Sequence, residues 1–421
     1  ALANLVKHGS RQRRPNSRSA QRRQVMSPKA IIVGGGIGGL SAAICLSLMG
    51  WRVRVLEQAA KISEIGAGVQ ISPNGVKILD KIGVMPRLEV DLFEPESIEI
   101  RMGISGRRLL DLPIKAVATH RWGARYIQIH RVDLIAALSA RLSELQGNAL
   151  QTGAKVTSYR QTEEGADVVL ADNSVVSGNL VIGADGIHST IRRQMLGPDV
   201  PRFTGNIAWR ALVPVARLGD LAPPPTGCIW AGRHKHAVTT RVRAGTVVNF
   251  VGIVEQTNWQ QENWKTEGAK KDALSDFQGW DPRILAVIQE ADTLHKWALF
   301  DRAPLPQWHE KHVVLLGDSA HPMLPSMAQG AVQSIEDAYV LTQCLTANHK
   351  GIPSACSAYF DQRIKRTARV QQVSAQNLKL FHKSTLPAQL FSYVPIWVAG
   401  KFAPGLVQRR NDWLYGENLI S

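Results

Sequence analysis

An α/β protein is predicted: a doubly wound parallel sheet, interleaved with an antiparallel-sheet domain and followed by C-terminal helices. Three observations predict it. KAIIVGGGIGGLSAAICLSLMGWRVRVLEQ (29–58) reads as strand, glycine turn, helix, strand. NLVIGADGIHSTIR (179–192) and VVLLGDSAHPMLPSMAQGAVQSIEDA (313–338) again run from an apolar strand into a glycine-bearing turn. Between those two, FTGNIAWRALVP, GCIWAGRHKHAVTTRV and TVVNFVGIVEQ are β-rich segments without a helical pattern, as in the antiparallel sheet of a second, covering domain.

Before the first strand, residues 1–28 are expected to be a disordered arm or expression leader, with Met26 as a native start. An Arg- and Ser-rich, acid-free leader also fits an organelle transit peptide. Residues 1–29 carry eight basic side chains, half of the net +16, and no acid. The rest of the chain is only mildly basic, which suits anionic small molecules and argues against a nucleic-acid partner. Its 421 residues suit two domains or one composite, and 44% hydrophobic residues supply an ordinary globular core. Cys45, Cys228, Cys344 and Cys356 are scattered, which speaks against a disulfide framework or a metal site and for a cytoplasmic protein. No apolar run is long enough to span a membrane.

In the first turn, Gly34, Gly36 and Gly39 fit G-x-G-x-x-G, and the second strand ends in Glu57. The first glycine permits a tight turn, the second lets a pyrophosphate approach the backbone, and the third lets helix and strand pack closely. An acid at the end of the second strand accepts ribose hydroxyls. This is a Rossmann-like dinucleotide site. EIGAGVQISPNGVKILDKIG (64–83) is too glycine-rich for a core helix and is expected to pass close to the ligand. IHRVDLIAALSARLSEL (129–145) is an amphipathic helix with Arg131 at its start. Short alternating strands follow, with a turn at Asp172-Asn173. Helix returns near 269–290, and the chain is then helical from about 330 to 385. The apolar tail LFSYVPIWVAGKFAPGLV (390–407) is read as packing, with a cavity cover or a dimer contact as the alternatives. Most tryptophans around the β-rich region, including Trp209, Trp230, Trp259, Trp264, Trp280 and Trp297, are read as packing.

Taken together, the three glycine turns resemble the fingerprints of the single-component FAD-dependent aromatic hydroxylases, the group of p-hydroxybenzoate and salicylate hydroxylases. The likeness covers nearly all of residues 27–385. It implies the p-hydroxybenzoate hydroxylase fold, with an FAD-binding domain at 29–72, 131–200 and 305–350. A substrate domain falls at 73–130 and 201–304, and a C-terminal helical segment at 351–421. By the same resemblance, Gly34, Gly36, Gly39 and Glu57 hold the ADP moiety and Arg131 contacts FAD. Asp185 and Gly186 form the middle turn, implicated in FAD and nicotinamide binding, and Asp318 holds the ribityl chain. Val332 and Gln333 are expected to offer backbone N–H groups at a helix start to the flavin ring.

The family's chemistry supplies further expectations. NADH or NADPH reduces FAD, O2 forms a flavin hydroperoxide, and a small phenolic carboxylate is hydroxylated. No second G-x-G-x-x-G is present, so no separate nicotinamide domain is expected. Losing the phenol proton activates the ring, and His suits that base role. In GRHKHAVTTRV, alternation puts His236, Val238 and Thr240 on one strand face. Related 3-hydroxybenzoate and 6-hydroxynicotinate hydroxylases carry a catalytic His in this strand and a Tyr four residues later. His236 takes the first place, and Thr240 stands where the Tyr would be. His234 substitutes if the register slips by two. His236 also fits a satisfied strand histidine, and His321 is read as structural. Pro325 matches the proline whose carbonyl lies near substrate, within an MLP wording that resembles the salicylate and 6-hydroxynicotinate enzymes, which act at the carboxylate-bearing carbon. Decarboxylating, salicylate-like hydroxylation is therefore the first expectation. Arg210 and Arg241 carry no assignment. Non-decarboxylating hydroxylation, a dehydrogenase or oxidase without oxygen insertion, and a cofactor-fold binding protein are the alternatives. A monomer or homodimer is expected.

Overall fold

The computed structural model describes residues 27–61, 68–198, 200–256, 267–348 and 350–420. The leader through Met26, Trp259, Trp264 and residues 64–67 of the glycine-rich segment lie outside the described residues.

The first sheet runs His309–Glu310, Val313–Leu315, Leu180–Gly183, Lys29–Val33, Arg52–Leu56, Leu150–Gln151, parallel throughout except at the His309 edge. The three glycine turns leave neighbouring strands of this sheet at the same end, so topology alone gathers segments that are distant in sequence. Its central strands are buried on both faces, and Ile31, Ile32, Val181 and Val314 are fully enclosed. Helix Ile37–Leu48 covers one face with Leu40, Ile44 and Leu46 and packs against helix Gly330–Ala347.

The second sheet runs His295–Asp301, Arg202–Pro214, Val247–Glu255, Lys235–Val242, Gly227–Gly232, Ile98–Met102, Arg108–Leu112. It is antiparallel apart from one parallel pair, Gly227–Gly232 with Ile98–Met102. The parallel pair departs from the all-antiparallel expectation because its partner strand arrives from far upstream rather than through a hairpin. One face carries Trp209, Trp230 and Phe250 into a core closed by helices Lys270–Asp276 and Pro282–Glu290. The other face looks toward the first domain.

One expectation about boundaries changes. Helix Pro73–Lys81, placed by sequence in the substrate domain, buries Val76, Ile78 and Leu79 in the core of the first sheet. Its amphipathic stripe selects that larger core despite the glycines around it. The apolar tail forms a helix at Leu386–Phe402 that continues through Pro395, within the helical segment expected at 351–421. Its Tyr393 packs with Leu110 and Phe381, while Phe391 and Phe402 stay exposed. No described helix is long and apolar enough to cross a membrane.

Candidate active site

A cavity of about 330 Å³ lies between the two sheets. Its cofactor end is made by Gly36, Gly186, Arg131 and Asp318, and its far wall by His236, Val238, Thr240 and Arg210. Pro322–Ser326 and Gln329–Ala331 form its remaining side.

Backbone contacts explain why the glycine turns meet. Gly34 has φ +109°, and a Cβ there would lie 2.3 Å from the Ala184 carbonyl oxygen of the middle turn. At Gly39 a Cβ would lie 2.0 Å from the Gly34 carbonyl oxygen, so this glycine serves helix–turn packing. Gly36 is different: a Cβ there meets nothing within 4 Å, and the residue faces the cavity. That open approach suits a pyrophosphate at the start of helix Ile37–Leu48. Glu57 accepts from the Gly35 N–H at 2.7 Å and the Ala59 N–H at 2.8 Å, so it also braces the turn.

Asp318 and Arg131 both reach the cavity, as the sequence reading requires. Burial pushes the Asp318 carboxyl above its ordinary range, against the pull of His321 and Arg131. Sugar hydroxyls would relieve that burial. Gly186 lines the cavity, whereas the Asp185 carboxylate turns to its own loop. It accepts from Ser189 Oγ and, at 2.7 Å, from the Thr190 N–H, holding the start of the next helix.

The helix-start expectation changes at Gln333 and extends to Gly330 and Ala331. Helix Gly330–Ala347 starts without a side-chain cap, and the Gln333 N–H already donates to the Gln329 carbonyl at 2.8 Å. Counting back one turn, the N–H groups without an intrahelical partner belong to Gly330, Ala331 and Val332. Gly330 and Ala331 are the ones lining the cavity. Gln333 has another task. Its Oε1 accepts from Arg363 at 2.7 Å and its Nε2 donates to Gln329 Oε1 at 3.2 Å. Gln329 donates to Ser72 at 2.9 Å, Ser72 to Asn74 at 2.6 Å, Asn74 to Glu336 at 2.6 Å, and Arg363 to the same carboxylate, which closes a buried ring. Arg363 also binds Asp337, which takes the His321 ring and the Gly317 N–H. His321 and Arg363 hold the Asp337 carboxyl down at about 2 against the effect of its burial. His321 thus supports the loop from behind.

These features fit FAD: an open phosphate approach at Gly36, a cavity carboxylate at Asp318, and an uncapped helix N-terminus.

On the opposite wall, His236, Val238 and Thr240 share the cavity face, as alternation predicts, while Ala237 enters the second core. His236 is fully buried, with Nδ1 2.6 Å from His382 Nε2 and Nε2 without a partner among the described residues. Burial pushes its pKa well below the ordinary imidazole value, with His382 adding to the effect. Thr240 Oγ1 accepts from Asn249 Nδ2 at 3.0 Å, so an Asn–Thr pair stands where a tyrosine was the comparison. His234 does not share this face. It sits in the hairpin turn at φ +56°, exposed and paired with Glu255 at 2.6 Å. The strand starts only at Lys235, which rules out substitution by a simple slip. Pro325 lines the cavity, and its carbonyl accepts from the Ala328 N–H at 2.9 Å. Arg210, unassigned by sequence, stacks over Trp297 at 5.1 Å within the cavity. Trp209 entering the opposite core was the signal that would have found it. Arg241 instead donates to the Pro223 carbonyl at 2.6 Å.

Residues 28–375 match the family described as FAD binding domain. The chain is 34% identical to 6-hydroxynicotinate 3-monooxygenase of Bordetella bronchiseptica, over 83% of this chain and 91% of that protein. It is 32% identical to 3-hydroxybenzoate 6-hydroxylase of Klebsiella oxytoca, over 92% and 96%. A salicylate hydroxylase solved as a substrate complex superposes with TM-score 0.77 at 25% identity, over 93% of this chain and 96% of that one.

Proposed function

The chain belongs to the FAD-dependent aromatic hydroxylases, and we propose that it hydroxylates a small phenolic carboxylate at the carbon bearing the carboxylate. It is an FAD-dependent monooxygenase with NAD(P)H and O2 as co-substrates. The observation that carries the substrate reading is the pairing, in one cavity, of buried His236 with Arg210.

FAD, when bound, would use electrons from NAD(P)H to activate O2, one atom of which enters the ring while the other leaves as water. The chain's own residues do the rest. Arg210, over the Trp297 ring, offers a guanidinium to the substrate carboxylate. His236 Nε2 accepts the hydroxyl proton, leaving electron density in the ring for attack. Val238, Val251 and Ile253 line the cavity and exclude water around that step. Gly330 and Ala331 present N–H dipoles where negative charge on the cofactor is favoured. Loss of carbon dioxide follows if the oxygen enters at the carboxylate-bearing carbon, the outcome we assign by likeness to the salicylate enzyme. Glu57, Gly186, Asp318 and Arg131 are assigned to the cofactor, Pro325 and Thr240 to the substrate side, and a cytoplasmic monomer or homodimer completes the reading.

Salicylate, 6-hydroxynicotinate and 3-hydroxybenzoate, supplied with NADH or NADPH, test this directly. A yellow protein giving catechol and carbon dioxide from salicylate supports it. A hydroxylated product that keeps its carboxylate removes the decarboxylation, and NADH oxidation with no hydroxylated product removes the hydroxylase assignment.

A further inference from the structure

His236 is buried in a wall that disfavours charge, so as an isolated base it would hold the substrate proton poorly. Its surroundings offer another destination. His236 Nδ1 lies 2.6 Å from His382 Nε2, and His382 Nδ1 lies 3.1 Å from Glu255 Oε1. The series starts at a cavity wall, passes a histidine that is 6% exposed, and ends at a carboxylate that is 42% exposed. The second oxygen of Glu255 holds His234.

The hydrogen bonds allow one arrangement of protons when both rings are neutral and Glu255 is ionised. A carboxylate only accepts, so the proton between His382 and Glu255 belongs to His382 Nδ1. His382 Nε2 is then an acceptor, and the proton between the rings belongs to His236 Nδ1. That leaves a lone pair on His236 Nε2, the nitrogen with no partner among the described residues. Glu255, at the surface, thereby fixes the tautomer of a ring two hydrogen bonds away.

We propose that His236, His382 and Glu255 form a proton wire carrying the substrate's hydroxyl proton from the cavity to solvent; this rests on the phenolic substrate assigned above. The substrate O–H bond breaks and its proton goes to His236 Nε2. The Nδ1 proton of His236 passes to His382 Nε2, the Nδ1 proton of His382 passes to Glu255, and Glu255 gives it to water. One proton leaves, the substrate keeps the electron pair as a phenolate, and neither ring ends the transfer as a cation. Only two tautomers change, and they reset by the reverse path after product leaves. The charged or titratable groups facing the wire are His234 beside Glu255, and Arg210 and Arg302 in the cavity wall. Lys235 is directed elsewhere, to the Asp276 carbonyl. The Phe381 ring, 5.3 Å from His236, keeps that stretch apolar.

The test is proton release by the oxidised holoenzyme, followed with a pH-indicator dye in weak buffer. The probes are salicylate, 6-hydroxynicotinate and 3-hydroxybenzoate, and no turnover is needed. In His382→Ala the release slows by about 10-fold or more, and added imidazole restores it. Glu255→Gln, at an exposed position where folding is not at stake, slows it in the same direction with unchanged FAD affinity. Ring 15N shifts of the wild type place the protons on both Nδ1 atoms, and Glu255→Gln mixes the tautomers. Wild-type release rates in both variants, with the native protein still hydroxylating, overturn the wire and leave the function standing. A native protein that binds none of the three probes removes the phenolic reading and the wire with it.

Discussion

On the cofactor side of the cavity, Ser72, Asn74, Glu336, Arg363, Gln333 and Gln329 close on one another, whereas across it His236 keeps one nitrogen open. Both walls are buried, and both use polar side chains. The closed ring fixes the helix at Gly330, whose N–H groups must meet the cofactor in one orientation. The strand wall holds its histidine from one end only and leaves the other for a ligand. Saturated polar groups mark what must not move, and an unsatisfied one marks what must react.

The largest effect should come from the closed side. Arg363→Met leaves Asp337 buried without its guanidinium and Glu336 with Arg366 alone, and should lower unfolding free energy by about 3–5 kcal/mol in a denaturant titration. A loss under about 1 kcal/mol would mean the ring is dispensable. The same wall sets the acid response. The Asp337 carboxyl is depressed to about 2, below an unfolded value near 3.9. Its contribution is therefore complete above that unfolded value and is lost as pH falls from there through about 2. In Asp337→Asn, that part of the acid dependence should vanish.

Next in size, Gly39→Ala and Gly36→Ala separate packing from binding within one turn. Gly39→Ala forces a Cβ to 2.0 Å from a carbonyl oxygen and should destabilise the fold by about 2–4 kcal/mol. Gly36→Ala meets no protein atom and should fold normally while FAD affinity, followed by flavin fluorescence, falls by about 10-fold or more. Equal stability losses would erase that distinction. On the open side, His236→Ala should retain FAD and lose hydroxylation by about 10²-fold. Normal hydroxylation would place the base elsewhere. The smallest expected effect is Arg210→Met, which should raise KM for a carboxylate substrate by about 10-fold and leave kcat largely intact. A fall in kcat alone would assign Arg210 to the chemistry instead.

Much of this was legible in the sequence because it follows from local rules. The Gly34–Gly39 spacing, the strand alternation around His236 and the strand-to-turn pattern at Gly317-Asp318 each concern a few consecutive residues. What was missed is either a matter of counting or of distance. The helix start was recognisable at QGAVQ, but which N–H groups stay open depends on where the first turn closes, and Gln329 closes it. His382 lies 146 residues from His236, and a pairing of that kind leaves no local trace. Arg210 was open to reading, since strand alternation opposite Trp209 points it to the cavity, but an arginine in a strand suggested solvent. Helix Pro73–Lys81 was misplaced because chain order says little about which of two adjacent cores a stripe will choose.

The strand order of the first sheet also sets a schedule for synthesis. Leu180–Gly183 accepts its outer neighbour, Val313–Leu315, only after the entire second-sheet segment has been made. At roughly 5–20 residues per second, the intervening stretch of about 130 residues takes on the order of 7–25 s to emerge. Through that interval the edge of Leu180–Gly183 is apolar and open to any passing strand. The nascent chain must be protected through that interval at the strand that later supports the middle glycine turn, and slowing translation between 184 and 312 should raise the yield of aggregated chain.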